Sequence, residues 1–162
     1  MYKIIELKNK QLVSCHDKSI IFYKKINNKY IRNYHISTNG RNGPIIQTKD
    51  NEICYYEYDA TICFYNLIKK YIIKKINNIS VAHCINDSLL MISKDLLLIT
   101  GYDEISIINV NSKNIIRKIE VFGSNNINAS CMLNKNKILT ADDNIRIIQW
   151  EIKNDDLKLI SI

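Results

Sequence analysis

The chain repeats itself at one interval. A short apolar strand, a turn bearing an aspartate and a second apolar strand recur four times: LVSCHDKSIIFYK (Leu12 to Lys24), ICYYEYDATICFYN (Ile53 to Asn66), LLITGYDEISIIN (Leu97 to Asn109) and KILTADDNIRIIQ (Lys137 to Gln149). The aligned aspartates are Asp17, Asp59, Asp103 and Asp143, about 40–44 residues apart. A repeat of this length is one supersecondary unit. Such a unit cannot bury both of its faces alone and therefore stacks on its neighbours.

The apolar pattern is short and strand-like throughout, with no sustained helical period. The fold class expected is all-β, a set of four four-stranded antiparallel meanders. The first would use Lys3–Leu7, Gln11–Cys15, Ser19–Lys24 and Tyr30–Ile36, and the second Pro44–Gln47, Glu52–Tyr58, Thr61–Leu67 and Tyr71–Ile76. The third would use Ser88–Ile92, Leu96–Thr100, Ile105–Val110 and Ile115–Val121. The fourth would use Ala129–Leu133, Lys137–Thr140, Ile145–Ile152 and Leu157–Ile162. One proline and four glycines are few for so many turns, so Asn and Asp must supply the turn chemistry. The middle strands are joined by Asp17-Lys18-Ser19 and Asp59-Ala60-Thr61 in the first two copies. Shorter turns, Asp103-Glu104 and Asp143-Asn144, are expected in the last two, where Asn144 suits a positive φ better than Glu104 does.

At 162 residues the chain is read as one domain, 1–162, with repeat units at 1–37, 44–80, 86–123 and 126–162. Hydrophobic residues at 46% and charged residues at 24% are the proportions of a globular protein, not a disordered one. The net charge of +7 comes from lysines beside strand ends, among them Lys24, Lys25, Lys69, Lys70, Lys74, Lys75, Lys135 and Lys137. They read first as a solvated surface that blunts strand edges. They read second as a patch for nucleic acid or an anionic membrane. No RNP-like aromatic motif, zinc knuckle or Arg-rich run supports the second reading.

Five cysteines (Cys15, Cys54, Cys63, Cys84, Cys131) contain no CxxC pair and read as reduced core residues. Cys54 and Cys63 could face each other across a hairpin. The start, MYKIIE, reads as neither a secretory leader nor a membrane span, and the expected compartment is the cytoplasm or nucleus.

The four copies resemble degenerate WD40 repeats over nearly the whole chain. The resemblance implies a β-propeller, partial or small, with about four blades where such rings usually have seven or eight. It also implies, in each blade, a hydrogen-bonded set of a turn Asp, a strand Ser/Thr, an aromatic and a His from upstream. The first copy offers Ser14, Asp17 and Tyr23, and the second offers Asp59, Tyr65 and His35, with Tyr56 where Ser/Thr is usual. The third offers Thr100, Asp103 and His83, with Ile108 at the aromatic position. The fourth offers Thr140 and Asp143, with Ile148 at that position and Trp150 two residues beyond. No Trp-Asp pair occurs at the end of any copy.

The chemistry is that of a scaffold. His16 beside Cys15 and His83 beside Cys84 invite a nucleophile or metal reading, but neighbours on a strand point to opposite faces and do not converge on one atom. Asp103-Glu104, Asp142-Asp143 and Asp155-Asp156 fall in turns or before a strand. No phosphate loop, nucleophile elbow or zinc motif is present. The only glycine cluster, Asn39 to Pro44, reads as the link between the first two copies.

The expectation is a non-enzymatic protein-interaction scaffold that needs no cofactor or metal and takes part in a multiprotein complex. Its partners would be proteins, including a second copy or another chain that completes the ring. Trp150, Tyr56 and Tyr58 are the candidate interface residues. The alternative is a basic propeller that binds a polyanion, either phosphoinositide membrane or RNA.

Overall fold

The computed structural model describes residues 3–40, 42–57, 60–79, 88–121, 123, 126–153 and 156–161. Every regular element among them is a strand. Sheet I is formed by β1 (Lys3–Glu6), β2 (Leu12–His16), β3 (Ser19–Ile26) and β4 (Lys29–Ser37). Sheet II is formed by β5 (Asn42–Lys49), β6 (Glu52–Glu57), β7 (Thr61–Asn66) and β8 (Tyr71–Ile76). Sheet III is formed by β9 (Leu89–Met91), β10 (Leu96–Thr100), β11 (Glu104–Asn109) and β12 (Asn114–Glu120). Sheet IV is formed by β13 (Ile127–Asn134), β14 (Lys137–Asp142), β15 (Ile147–Lys153) and β16 (Asp156–Ser161). In each sheet the strands lie in chain order and pair antiparallel, so each is an up-and-down meander.

The chain divides into two compact units, residues 1–78 with sheets I and II, and residues 79–162 with sheets III and IV. In the first unit alternation sends Val13, Cys15, Ile20 and Phe22 to one face of sheet I. There they share a core with Ile53, Tyr55, Cys63 and Tyr65 of sheet II. In the second unit Leu96, Leu98, Ile105 and Ile107 of sheet III share a core with Ile138, Ile148, Trp150 and Leu157 of sheet IV. Both units follow one rule. The face that an earlier sheet turns to its successor carries the odd-numbered or even-numbered set opposite to the face turned the other way.

The turns correct several expectations. The first hairpin closes with His16 opposite Ser19, so its loop is the two residues Asp17–Lys18 and Ser19 belongs to the strand. In sheet III the Gly101 N–H donates to the Glu104 carbonyl, and Tyr102–Asp103 form the turn, with Asp103 rather than Glu104 near it at φ +50°. In sheet IV the loop is longer than expected. β14 continues to Asp142, β15 begins at Ile147, and the positive φ of +60° falls on Ile145, not Asn144.

Asn42, Gly43 and Pro44 are part of β5 rather than a link, and the proline is tolerated because β5 is an edge strand with an irregular register there. Gly43 lies against the ring of Tyr56, where an added Cβ would come within 2.8 Å of Cδ1. Cys54 pairs with Phe64 and Cys63 with Tyr55, so the two cysteines occupy opposite faces of sheet II and do not meet.

Candidate interaction site

The polar set is best formed in sheet I. Residues two apart on β2 share a face, which brings the Ser14 Oγ to 2.8 Å from His16 Nε2. The same hydroxyl donates to the Tyr23 phenol at 3.2 Å, across the diagonal set by Ser14 opposite Ile21 and Leu12 opposite Tyr23. Partial burial lowers the His16 pKa below the usual histidine value, the neighbouring Asp17 opposing that shift. Ser14 itself is fully buried, so the trio is a hydrogen-bonded brace and not an exposed nucleophile. Asp17 is exposed in the turn, and His35 lies exposed on β4 opposite Ile21 rather than in a loop.

Sheet II departs from the sequence alignment. The register places Tyr55, not Tyr56, opposite Cys63, two residues before Tyr65, and so at the position that Ser14 holds in sheet I. Tyr65 packs in the core against Phe22, with ring centroids 6.3 Å apart. Tyr56 is buried rather than displayed at a surface. Tyr58, Asp59 and His83 lie outside the described residues.

In sheet III the Thr100 N–H donates to the Ser88 carbonyl, while its buried hydroxyl has no hydrogen-bond partner among the described residues. Asp103 holds its turn through the backbone, its carbonyl accepting from the Val121 N–H at 2.8 Å.

Sheet IV holds what the alignment missed. The Trp150 indole N–H donates to Thr140 Oγ1 at 2.9 Å. Thr140 stands opposite Ile148 and Trp150 opposite Ile138, the same diagonal as Ser14 with Tyr23. Trp150, not Ile148, therefore fills the aromatic position, and it is 4% exposed in the core rather than at an interface. Two residues separate the positions because the loop is longer than the Asp alignment allowed.

That loop is organised by Asp142. Its Oδ1 accepts the N–H groups of Asn144 (3.0 Å) and Arg146 (3.1 Å), its Oδ2 accepts the Arg146 Nε–H at 2.8 Å, and Nη2 lies 2.6 Å from Oδ2 in the ion pair. Burial acts to raise the Asp142 pKa, but these bonds and the Arg146 charge hold it below the usual carboxylate range. Asp143 instead reaches back to the start of β13, accepting from Asn126 Nδ2 at 2.6 Å and from Asn128. The Asp-x-Asn-x-Arg spacing from Asp142 to Arg146 is the signal that could have identified this loop, since a short carboxylate bonds backbone N–H groups just downstream of itself.

The second face of sheet IV is the surface with the most to offer a partner. Ala129, Cys131, Leu139, Ala141 and Ile147 share it, opposite the face that carries Thr140 and Trp150. Ala129 and Ala141 are directly paired, and their small side chains leave a shallow depression of about 280 Å³ flanked by Cys131, Leu139 and Ile147. Ile147 is 64% exposed and Leu133, farther along β13, is also exposed. No group of His, Cys, Asp and Glu among the described residues is placed to hold a metal ion. No helix is long and apolar enough to cross a membrane.

No family model matches the sequence, and no match is found among curated proteins. The structure is similar to a chain in the crystal structure of the mitotic checkpoint complex, with a TM-score of 0.75 and 11% sequence identity. The likeness covers 93% of this chain and 49% of that one, so this chain spans about half the length of the structure it matches. At that identity the likeness is one of fold: four-stranded antiparallel blades similar to those of a WD40 propeller protein.

Proposed function

We propose that the protein is a non-enzymatic interaction scaffold of WD40-repeat type, working in the cytoplasm or nucleus as part of a multiprotein complex. It associates through the second face of sheet IV. The observation that carries this reading is the apolar row of exposed Cys131 and Ile147 with half-buried Leu139 between them, on a sheet whose other face is core. A strand row of that kind is a docking surface for another sheet.

The occupant is the first sheet of a second copy. Within each unit an earlier sheet turns one face to its successor, and the uncovered face of sheet IV is the next in that order. Its complement is the face of sheet I that carries Ile4, Leu12 and Ile21, where Ile4 is exposed. Two copies of four blades joined head to tail would make eight, and a heterologous contact that closes gives a ring of two.

Cys131 reports on the surface directly because it is exposed there while Cys15, Cys54 and Cys63 are buried. Thiol alkylation followed by peptide mapping should show Cys131 becoming less reactive as protein concentration rises. Equal reactivity at every concentration would contradict the reading.

A further inference from the structure

The two hairpins that lead into the outer strands of sheets I and II end on the same side of the first unit. Their tips combine charge and exposed apolar side chains. In the first, Ile26 pairs with Lys29 around Asn27 and Asn28, both at positive φ (47° and 63°), a two-residue turn that asparagine tolerates. Lys25 lies beside it, opposite Tyr30. In the second, Asn66 Oδ1 accepts the N–H groups of Ile68 (3.0 Å) and Lys69 (2.7 Å), a local brace that holds Ile68 at the tip, 68% exposed. Lys70 Nζ sits 4.7 Å from the centre of the Tyr34 ring and so ties the second tip to β4 of the first sheet.

The charges at these tips are uncompensated. Among the described residues, no ion pair engages Lys25, Lys29, Lys69 or Lys70. Among the described carboxylates of the unit, Glu6 pairs with Lys10, Asp50 with Lys8 and Glu57 with Lys75. Lys25 and Lys70 rest against the rings of Tyr30 and Tyr34, but none of the four ammonium groups has a carboxylate beside it, and apolar tips among such groups have one common complement.

We propose that this end of the first unit docks on an anionic lipid bilayer, with Ile26 and Ile68 entering the headgroup region and the four lysines facing lipid phosphates and carboxylates. Lysines near an anionic surface each strengthen such binding, and short apolar tips add area removed from water. Ile68, the most exposed apolar group of the two tips at 68%, is a branched aliphatic that favours a bilayer over RNA, and Tyr30 and Tyr71 behind it suit the headgroup level, where amphipathic rings collect. The site involves the first unit alone and is independent of the sheet IV reading.

The test is flotation of the full chain with phosphatidylserine–phosphatidylcholine vesicles and with pure phosphatidylcholine vesicles. Binding is expected only to the first and should weaken as salt is added. Lys69→Gln should weaken it about five-fold, the effect of one lysine near the surface. Lys18→Gln, in the turn at the opposite end of sheet I, should leave it unchanged. Ile68→Ser should weaken it several-fold. All three side chains are exposed, and urea unfolding of each variant should match that of the parent. Failure to float with the anionic vesicles would overturn the proposal. So would flotation indifferent to Ile68→Ser and abolished by single-stranded RNA, which would make the surface a general polyanion site.

Discussion

Sheets II and IV are the same meander, but they are buried differently. In sheet II all six residues of β6 and five of six in β7 are buried. In sheet IV, β14 alternates strictly between half-buried and buried, and Ile147 on β15 is exposed. The difference lies in side-chain choice and not in backbone. ICYYE carries large apolar groups on both faces, whereas KILTAD puts Thr140 and Asp142 with Ile138 on one face and leaves Leu139 with only Lys137 and Ala141 on the other. A repeat therefore fixes strand order and pairing, while the alternation within each strand fixes how many faces are kept from water.

The comparison can be broken most sharply by truncating one apolar side chain on the second face of each sheet. Phe64→Ala in sheet II, a fully buried ring, should cost about 3–5 kcal/mol in urea unfolding. Leu139→Ala in sheet IV should cost about 1–2 kcal/mol, because Leu139 is only half-buried. Equal costs would mean that the two faces are not different environments.

The next largest effect should come from the loop that makes sheet IV distinct. Asp142→Ala removes the carboxylate that pairs with Arg146 and accepts two backbone N–H groups, and should cost about 3 kcal/mol. The Asp142 pKa is depressed on folding, so its contribution is complete above the unfolded carboxylate value of about 3.9 and is lost as pH falls through the folded one. The stability gap between the parent and Asp142→Asn should accordingly narrow in acid. A gap that stayed constant down to the lowest pH at which both fold would contradict the assignment.

Gly43→Ala should cost about 1–3 kcal/mol, because its Cβ would press on Tyr56 within the closely packed sheet II. Trp150→Phe keeps most of the packing in sheet IV and removes one hydrogen bond, for about 1 kcal/mol. A double-mutant cycle with Thr140→Val should return a coupling of that size. No coupling would mean that the indole contributes by packing alone.

Much of the fold was legible in the sequence because the apolar rows alternate and the repeat recurs four times. Sixteen strands appear among the described residues where sixteen were expected, most of them with ends shifted by only one or two residues. The positions within each hairpin were less legible. Aligning the copies on their aspartates assumed that each turn had a fixed length. Asp142 rather than Asp143 organises the last loop, and that offset moved the aromatic position from Trp150 to Ile148. A similar offset exchanged Tyr55 for Tyr56 in sheet II. The brace between Ser14 and His16 went unseen because both residues come from one strand, where a partner from upstream was sought. Turn length depends on which carboxylate captures which N–H, a choice among neighbouring Asp and Asn residues that the repeat does not determine.

The central claim is that the open face of sheet IV receives another sheet. Light scattering on a dilution series of the parent and of Ile147→Lys tests it most directly. Ile147 is exposed, so the lysine should change stability by no more than about 0.5 kcal/mol. The expected result is a parent that dimerises with concentration and a variant that stays monomeric over the same range. A parent that is monomeric throughout, or a variant that dimerises equally well, would contradict it.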